Sequence, residues 1–278
     1  MDKKEKTLFV TDLDGTLLTS KNNLSEYTIE TLNNLINKGM TFSYATARSL
    51  SSASVVTNGL KINNPVVIYN GTFIVNPNTK EKVYSLCFSQ REKEIVKNVL
   101  AKHNIFPLVY SNIKGVEKVS WIESMENNGI KNYKDSRRGD NRLRPIETME
   151  QLYQGDIFYY TCIADKKEDL QNIYEYFMEK PEFNCTIQKE LYKEEYWCEI
   201  MLKKSTKGNA ILELKGMLKC DKIVSFGDAI NDISMFKISD QSYAVENAPE
   251  ELKKYANGII PSNDQNGVAQ WLEKNYIQ

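Results

Sequence analysis

Asp12 and Asp14 stand two residues apart at the end of a short apolar run and are followed by Gly15-Thr16. Strand side chains alternate, so a carboxylate at a strand end and another two residues later can face one crevice, and Gly15 lets the backbone turn sharply there. A second acidic group, Gly227-Asp228-Ala229-Ile230-Asn231-Asp232, follows another apolar run much later. Asp228 and Asp232 are four apart, a spacing that stacks both carboxylates on one face of a helix begun in that loop. With Asp12 they make a concentrated negative site, and oxygen ligands of this kind favour a hard cation, Mg²⁺ in particular. Thr46, after a third run, can offer a hydroxyl and Ala47 a backbone N–H to a phosphoryl oxygen. Lys207, at the head of an expected helix, places a positive charge beside a helix N-terminus, an anion-binding arrangement.

These residues need a scaffold that brings distant loops together. Lys6 to Thr11 reads as a buried strand, residues 25–39 as a helix capped by Ser25 and ended by Gly39, Met40 to Ala45 as a second strand, and Val66 to Tyr69 as a third. From Thr206 the alternation resumes: helix 207–218, strand Lys222–Phe226, strand Ser242–Val245, helix 249–255, strand Gly258–Ile260 and helix 266–275. Strands alternating with helices imply an α/β fold, a three-layer, Rossmann-like parallel-sheet core with right-handed crossovers. In such a sheet the ligand crevice lies at the carboxyl ends of the strands, where Asp12, Thr46 and Asp228 all fall.

Asn76-Pro77-Asn78 is a strong turn joining Phe73–Val75 to Val83–Cys87, and the pattern then changes. Amphipathic helices at 91–102 and 166–180 mix with strands at Phe106–Tyr110, Lys118–Ile122, Ile157–Ala164 and Tyr196–Leu202. The expected organisation is therefore a core of residues 1–83 and 197–278, interrupted at 84–196 by an inserted α+β domain.

The 278 residues suffice for a core without staples, and 41% hydrophobic with 26% charged residues excludes a disordered or fibrous chain. No apolar run approaches the roughly twenty residues of a membrane helix, and residues 2–6 are charged with no leader pattern after them, so a cytoplasmic protein is expected. Five scattered cysteines without a C-x-x-C pair read as reduced, mostly buried thiols. With 36 basic against 37 acidic residues the net charge of −1 predicts neither nucleic-acid nor membrane partners. A monomer or weak homodimer is expected.

Asp12-Leu13-Asp14-Gly15-Thr16-Leu17, Thr46 with Arg48, Lys207-Gly208 and Gly227-Asp228-x-x-Asn231-Asp232 resemble the four ordered motifs of the haloacid dehalogenase superfamily. The insertion resembles the cap, or substrate-specificity domain, of its Cof-type (subclass IIB) phosphatases by position and size. Asn247-Ala248-Pro249 and Asn263-Asp264-x-x-Gly267-Val268-Ala269 resemble that group's carboxyl-terminal pattern. One departure is Ala47, where the family more often has glycine.

The resemblance implies roles. Asp12 would be the nucleophile that forms an aspartyl-phosphate, and Asp14 would protonate the leaving alkoxide and then deprotonate water. Mg²⁺ would be held by Asp12, the backbone carbonyl of Asp14 and Asp228, with Asp232 in support. Leu13 and Ala47 N–H groups, Thr46, Lys207 and Asn231 would hold the phosphoryl oxygens. The reading is a Mg²⁺-dependent phosphatase of small metabolites, sugar phosphates above all. Alternatives are a phosphomutase or phosphotransferase using the same intermediate and, further off, a phospho-accepting signalling module.

Other features have plainer readings. His103 ends a helix, where an imidazolium suits the dipole. Lys131, Lys134, Arg137, Arg138, Arg142 and Arg144 read as a solvated loop or as a rim for anionic substrates. Tyr159-Tyr160 and Tyr196-Trp197 read as sheet packing.

Overall fold

A computed structural model describes residues 5–189 and 194–276. The chain divides into two compact units, one running to Ser85 and resuming at Ser205, the other spanning Leu86–Lys204.

The first unit begins with β1 (Thr7–Thr11), α1 (Glu26–Asn37), β2 (Thr41–Tyr44), α2 (Leu50–Val56), β3 (Val66–Ile68), β4 (Phe73–Val75) and β5 (Lys82–Ser85). Ser25 caps α1 by accepting the Thr28 N–H, as its sequence position predicts. The inserted unit continues with α3 (Gln90–Lys102), β6 (Leu108–Ile113), β7 (Val116–Ile122), α4 (Asn128–Asp135), β8 (Leu143–Ile146), α5 (Met149–Leu152), β9 (Asp156–Ala164), α6 (Glu168–Met178), β10 (Phe183–Lys189) and β11 (Tyr196–Leu202). The chain then returns through α7 (Lys207–Leu218), β12 (Lys222–Gly227), α8 (Ile233–Phe236), β13 (Gln241–Val245), α9 (Glu250–Lys253), β14 (Gly258–Ile260) and α10 (Gly267–Asn275).

The central sheet has the order β14-β13-β12-β1-β2, all parallel, and an Ala45–Val67 bridge joins β3 to its β2 edge. Strands β1, β2, β3 and β12 are buried along almost their whole length, as expected of a parallel sheet with helices on both faces, while β13 and the edge strand β14 are partly exposed. From β1 the chain moves outward to β2 and β3, and after the insertion it returns to the other side of β1 and moves outward again through β12, β13 and β14. The order thus reverses between β1 and β12, which makes the crevice between their carboxyl ends the topological switch point. Strands β3, β4 and β5 also form a small antiparallel sheet.

The inserted unit is a six-stranded sheet, β10-β11-β9-β6-β7-β8, antiparallel except between β7 and β8. Val96, Val99 and Leu100 of α3 and Leu170, Ile173 and Phe177 of α6 form one buried cluster with Tyr160, Cys162, Cys198 and Ile200 of the strands. The boundaries read from the sequence were 83/84 and 196/197. The contacts divide the chain at 85/86 and 204/205, because β11 pairs on both edges inside the second sheet. Elements β8, β10, α4 and α5 have no counterpart in the sequence reading. Strand β8 carries Pro145, which a sheet edge tolerates since no ladder donor is required there.

The basic stretch is paired internally. Arg142 meets Asp140 and Glu117, Lys134 meets Glu126, Arg138 meets Asp135, Arg144 donates to Ser120 and Gln154, and Arg137 lies over the Tyr133 ring. That pairing counts against an anion-attracting rim, and α4 and β8 occupy part of what the sequence suggested was a solvated loop. His103 is the C-cap of α3. The cysteines are thiols rather than disulfides, and Cys162, Cys185, Cys198 and Cys220 are buried. Among the described residues no helix is long and apolar enough to cross a membrane.

Glu199 on β11 supports a stability prediction. Burial pushes its carboxyl above the usual range, and hydrogen bonds from Tyr159 and Thr186 offset this only in part. A raised carboxyl pKa means that the folded chain holds the proton more tightly. The associated stability is complete below the unfolded value of about 4.3 and is lost as pH rises through the folded value. Glu199→Gln keeps the shape and removes the charge. It is therefore expected to match wild type near pH 4 and to be the more stable of the two at pH 7.5. Thermal melts of both proteins across that range check the sign.

Candidate active site

Asp12 follows β1 and Asp228 follows β12, the two strands that flank the switch point. The Asp12 N–H donates to the Phe226 carbonyl at 2.9 Å, so the strand pairing itself sets the two loops side by side. Carboxylate oxygens of Asp12, Asp228 and Asp232 lie within 4.8 Å of one another. Asp12 and Asp232 are buried, and Asp228 is half-buried.

Lys207, the first residue of α7, is 1% exposed, and a lysine that deeply buried must be paired. Its Nζ donates to Asp12 Oδ1 and Asp232 Oδ1, each at 2.7 Å. Burial pulls its ammonium down, but the two carboxylates outweigh that and hold it above the usual lysine range. Burial drives Asp12 well above the usual carboxylate range. The charge and hydrogen bond of Lys207 oppose this, while Asp232 and Asp228 add to it. Asp228 is also raised, chiefly by burial, against a hydrogen bond from Thr16 Oγ1 at 2.7 Å. Three carboxylates thus share one ammonium, a set short of positive charge. Oxygen-only donors in that arrangement fit a hard divalent cation.

Asp232 fixes the loop as well as the lysine. Its Oδ2 accepts the Asp228 and Ala229 N–H groups at 2.9 Å each. With both oxygens engaged by the protein, it is suited to a supporting place beside a cation rather than a leading one.

Asp14 stands apart from the three. Its two oxygens accept a bidentate pair of hydrogen bonds from Arg48, Nε at 2.7 Å and Nη2 at 2.5 Å. Gly15 beside it has φ +72°, and a Cβ there would sit 2.3 Å from Asp228 Oδ2, so only glycine lets this loop pass Asp228. Thr46, fully buried, follows β2 and accepts the Arg48 N–H on its hydroxyl at 3.1 Å. Leu13 is buried in the loop after Asp12, whereas Ala47 and Asn231 are exposed. Asn231 Nδ2 donates to Asn70 Oδ1 at 3.0 Å.

Several supports have no counterpart in the sequence reading. Arg48 and Thr16 were part of the quoted motifs, but nothing in their spacing showed that they grip Asp14 and Asp228. Asn247 Nδ2 donates to the Gly15 carbonyl at 2.8 Å and its Oδ1 accepts the Asn263 N–H at 3.1 Å, while Asn263 Nδ2 donates to the Leu18 carbonyl. The two carboxyl-terminal asparagines therefore brace the loop that carries Asp14. They lie more than 230 residues from the groups they hold, and only their match to a recurring pattern drew notice to them.

Residues 9–272 match the family model of the haloacid dehalogenase-like hydrolases. A protein of Buchnera aphidicola subsp. Baizongia pistaciae is 29% identical over 276 residues, covering 98% of each chain. A Bacillus subtilis protein named 5-amino-6-(5-phospho-D-ribitylamino)uracil phosphatase is 24% identical over 95% of this chain and 96% of its own. Among solved structures, a Thermotoga maritima protein superposes with a TM-score of 0.79 at 25% identity over 98% of both chains. A haloacid dehalogenase-like hydrolase of Bacteroides thetaiotaomicron does so with a TM-score of 0.77 at 22% identity, over 98% of this chain and all of its own.

Proposed function

The chain belongs to the haloacid dehalogenase-like hydrolases, and from that premise we propose that it is a Mg²⁺-dependent phosphatase of small phosphorylated metabolites, acting through an aspartyl-phosphate on Asp12. The observation that carries this reading is the convergence of Asp12, Asp228 and Asp232 at the switch point of the sheet, with the buried ammonium of Lys207 bonded to Asp12 and Asp232.

Asp12 attacks phosphorus through a carboxylate oxygen. The bond from Asp12 to phosphorus forms as the bond to the leaving alkoxide breaks, and the alkoxide takes a proton from Asp14. Water then attacks the phosphoenzyme and gives a proton back to Asp14, which frees Asp12 and inorganic phosphate. In the described conformation both Asp14 oxygens are held by Arg48, so this role requires the side chain to exchange Arg48 for the leaving oxygen. Asp12, the Asp14 carbonyl and Asp228 would hold Mg²⁺, with Asp232 in support, and a bound cation screens the two anions as they meet. Thr46, Lys207, Asn231 and the N–H groups of Leu13 and Ala47 hold the phosphoryl oxygens.

We read the inserted unit, residues 84–196 extended to the end of β11, as the substrate-selecting cap. Sugar phosphates are the favoured class, which the name of the Bacillus subtilis relative, a phospho-D-ribityl compound's phosphatase, supports. Cysteines kept as thiols suit a cytoplasmic setting.

The test is phosphate release from a panel of sugar phosphates, nucleotides, cofactor phosphates and an aryl phosphate. With Mg²⁺ present, release from some members is expected. EDTA should lower it by on the order of 10²-fold or more, and added Mg²⁺ should restore it. Undiminished release in EDTA would sink the metal assignment, and no release from any ester would sink the phosphatase reading.

A further inference from the structure

Three successive residues, Tyr69, Asn70 and Gly71, have positive φ, at 49°, 52° and 97°. Left-handed backbone is uncommon outside glycine, although asparagine adopts it more readily than most residues, and a run of three persists only where its surroundings hold it. This run touches three of the four motif regions. The Tyr69 N–H donates to the Arg48 carbonyl at 3.1 Å and the Asn70 N–H to the Thr46 carbonyl at 2.9 Å. Gly71 passes so close to the head of α7 that a Cβ would lie 2.1 Å from the Thr206 carbonyl oxygen and 3.1 Å from the Lys207 nitrogen. The Asn70 side chain reaches the remaining region, accepting the Asn231 Nδ2 hydrogen bond at 3.0 Å.

We propose that Asn70 is a positioning residue of this site: it ties the Asn231 amide to the backbone that carries Thr46, so that two elements of the phosphoryl-binding set keep a fixed separation. The proposal rests on the phosphatase reading for what is positioned. Asn231 is exposed and its amide can rotate, so an acceptor anchored to the Thr46 backbone restricts it. Asparagine suits position 70 because it adopts φ +52° and carries a short acceptor.

Asn70→Gly keeps the left-handed backbone and deletes only the anchor. In aryl phosphate hydrolysis it is expected to lower kcat/KM about tenfold in the wild-type background and less than twofold in an Asn231→Ala background, because the anchor acts through Asn231. A merely structural role would lower both backgrounds alike, and that result, or a wild-type-like Asn70→Gly enzyme, would overturn the proposal. Hydrogen exchange of peptides covering residues 228–236 gives a readout independent of turnover. Faster exchange in Asn70→Gly is expected, with an unchanged melting temperature and with protection retained in Asn70→Asp, which keeps the acceptor. If wild type released no phosphate from any ester, the phosphatase reading would fail. The exchange data would then decide the anchor alone: faster exchange would support it, unchanged exchange would overturn it.

Discussion

Asp12→Asn is expected to abolish turnover, by roughly 10⁴-fold or more, while the protein stays folded. Asparagine is isosteric and its Oδ1 can still accept from Lys207, which now donates to Asp12 at 2.7 Å. What disappears is the anionic oxygen that can bond to phosphorus. The substitution also lowers the number of carboxylates in the cluster from three to two. Since burial and the neighbouring acids already hold Asp12 well above the usual carboxylate range, the variant should melt no lower than wild type at neutral pH. Phosphate release and a thermal melt on the same preparation check both halves. Residual turnover above about 1% of wild type would overturn the nucleophile assignment, since a lost covalent step leaves far less.

Lys207→Met should cost both activity and stability. The methionine fills a similar volume, but it leaves Asp12 and Asp232 buried without their shared cation. Removing one partner of a buried ionic group typically destabilises by about 3–5 kcal/mol, because the remaining charge is uncompensated. Denaturant unfolding is expected to show a loss of that order, alongside phosphate release reduced on the order of 10³-fold. Combining Lys207→Met with Asp12→Asn removes a carboxylate together with the ammonium. It should recover part of the stability and none of the activity. A single-variant loss under about 1 kcal/mol would count against a buried ion triad.

The candidate site was partly legible because its main groups sit at element ends. Asp12, Thr46 and Asp228 each follow a short strand-like run rich in apolar residues, and Lys207 opens a helix, so local patterning placed them at strand and helix termini. The core elements read from the sequence agree with the structure within a residue or two in most cases, since buried parallel strands and amphipathic helices carry strong periodic signals. The inserted unit was less legible. Strand β10 lies at the edge of its sheet and helix α4 is short, and α4 carries Gly129 and charged residues that read locally as loop. Their order comes from packing against the sheet, as when Gly129 lies against Ile163.

By itself, then, the sequence determined the alternating core, the interruption by a second unit, and the identity of the acidic, hydroxyl and ammonium groups at element ends. Those properties follow from residue type and spacings of two to four residues, over which backbone geometry is regular. Only the tertiary structure decided that β1 lies beside β12, that Arg48 grips Asp14, that Asn70 meets Asn231 and that Asn247 and Asn263 brace the loop after Asp12. Each of these joins residues from 34 to 245 positions apart. Contacts at such separations are set by strand order and by left-handed turns, and neither leaves a period in the chain for local reading to detect.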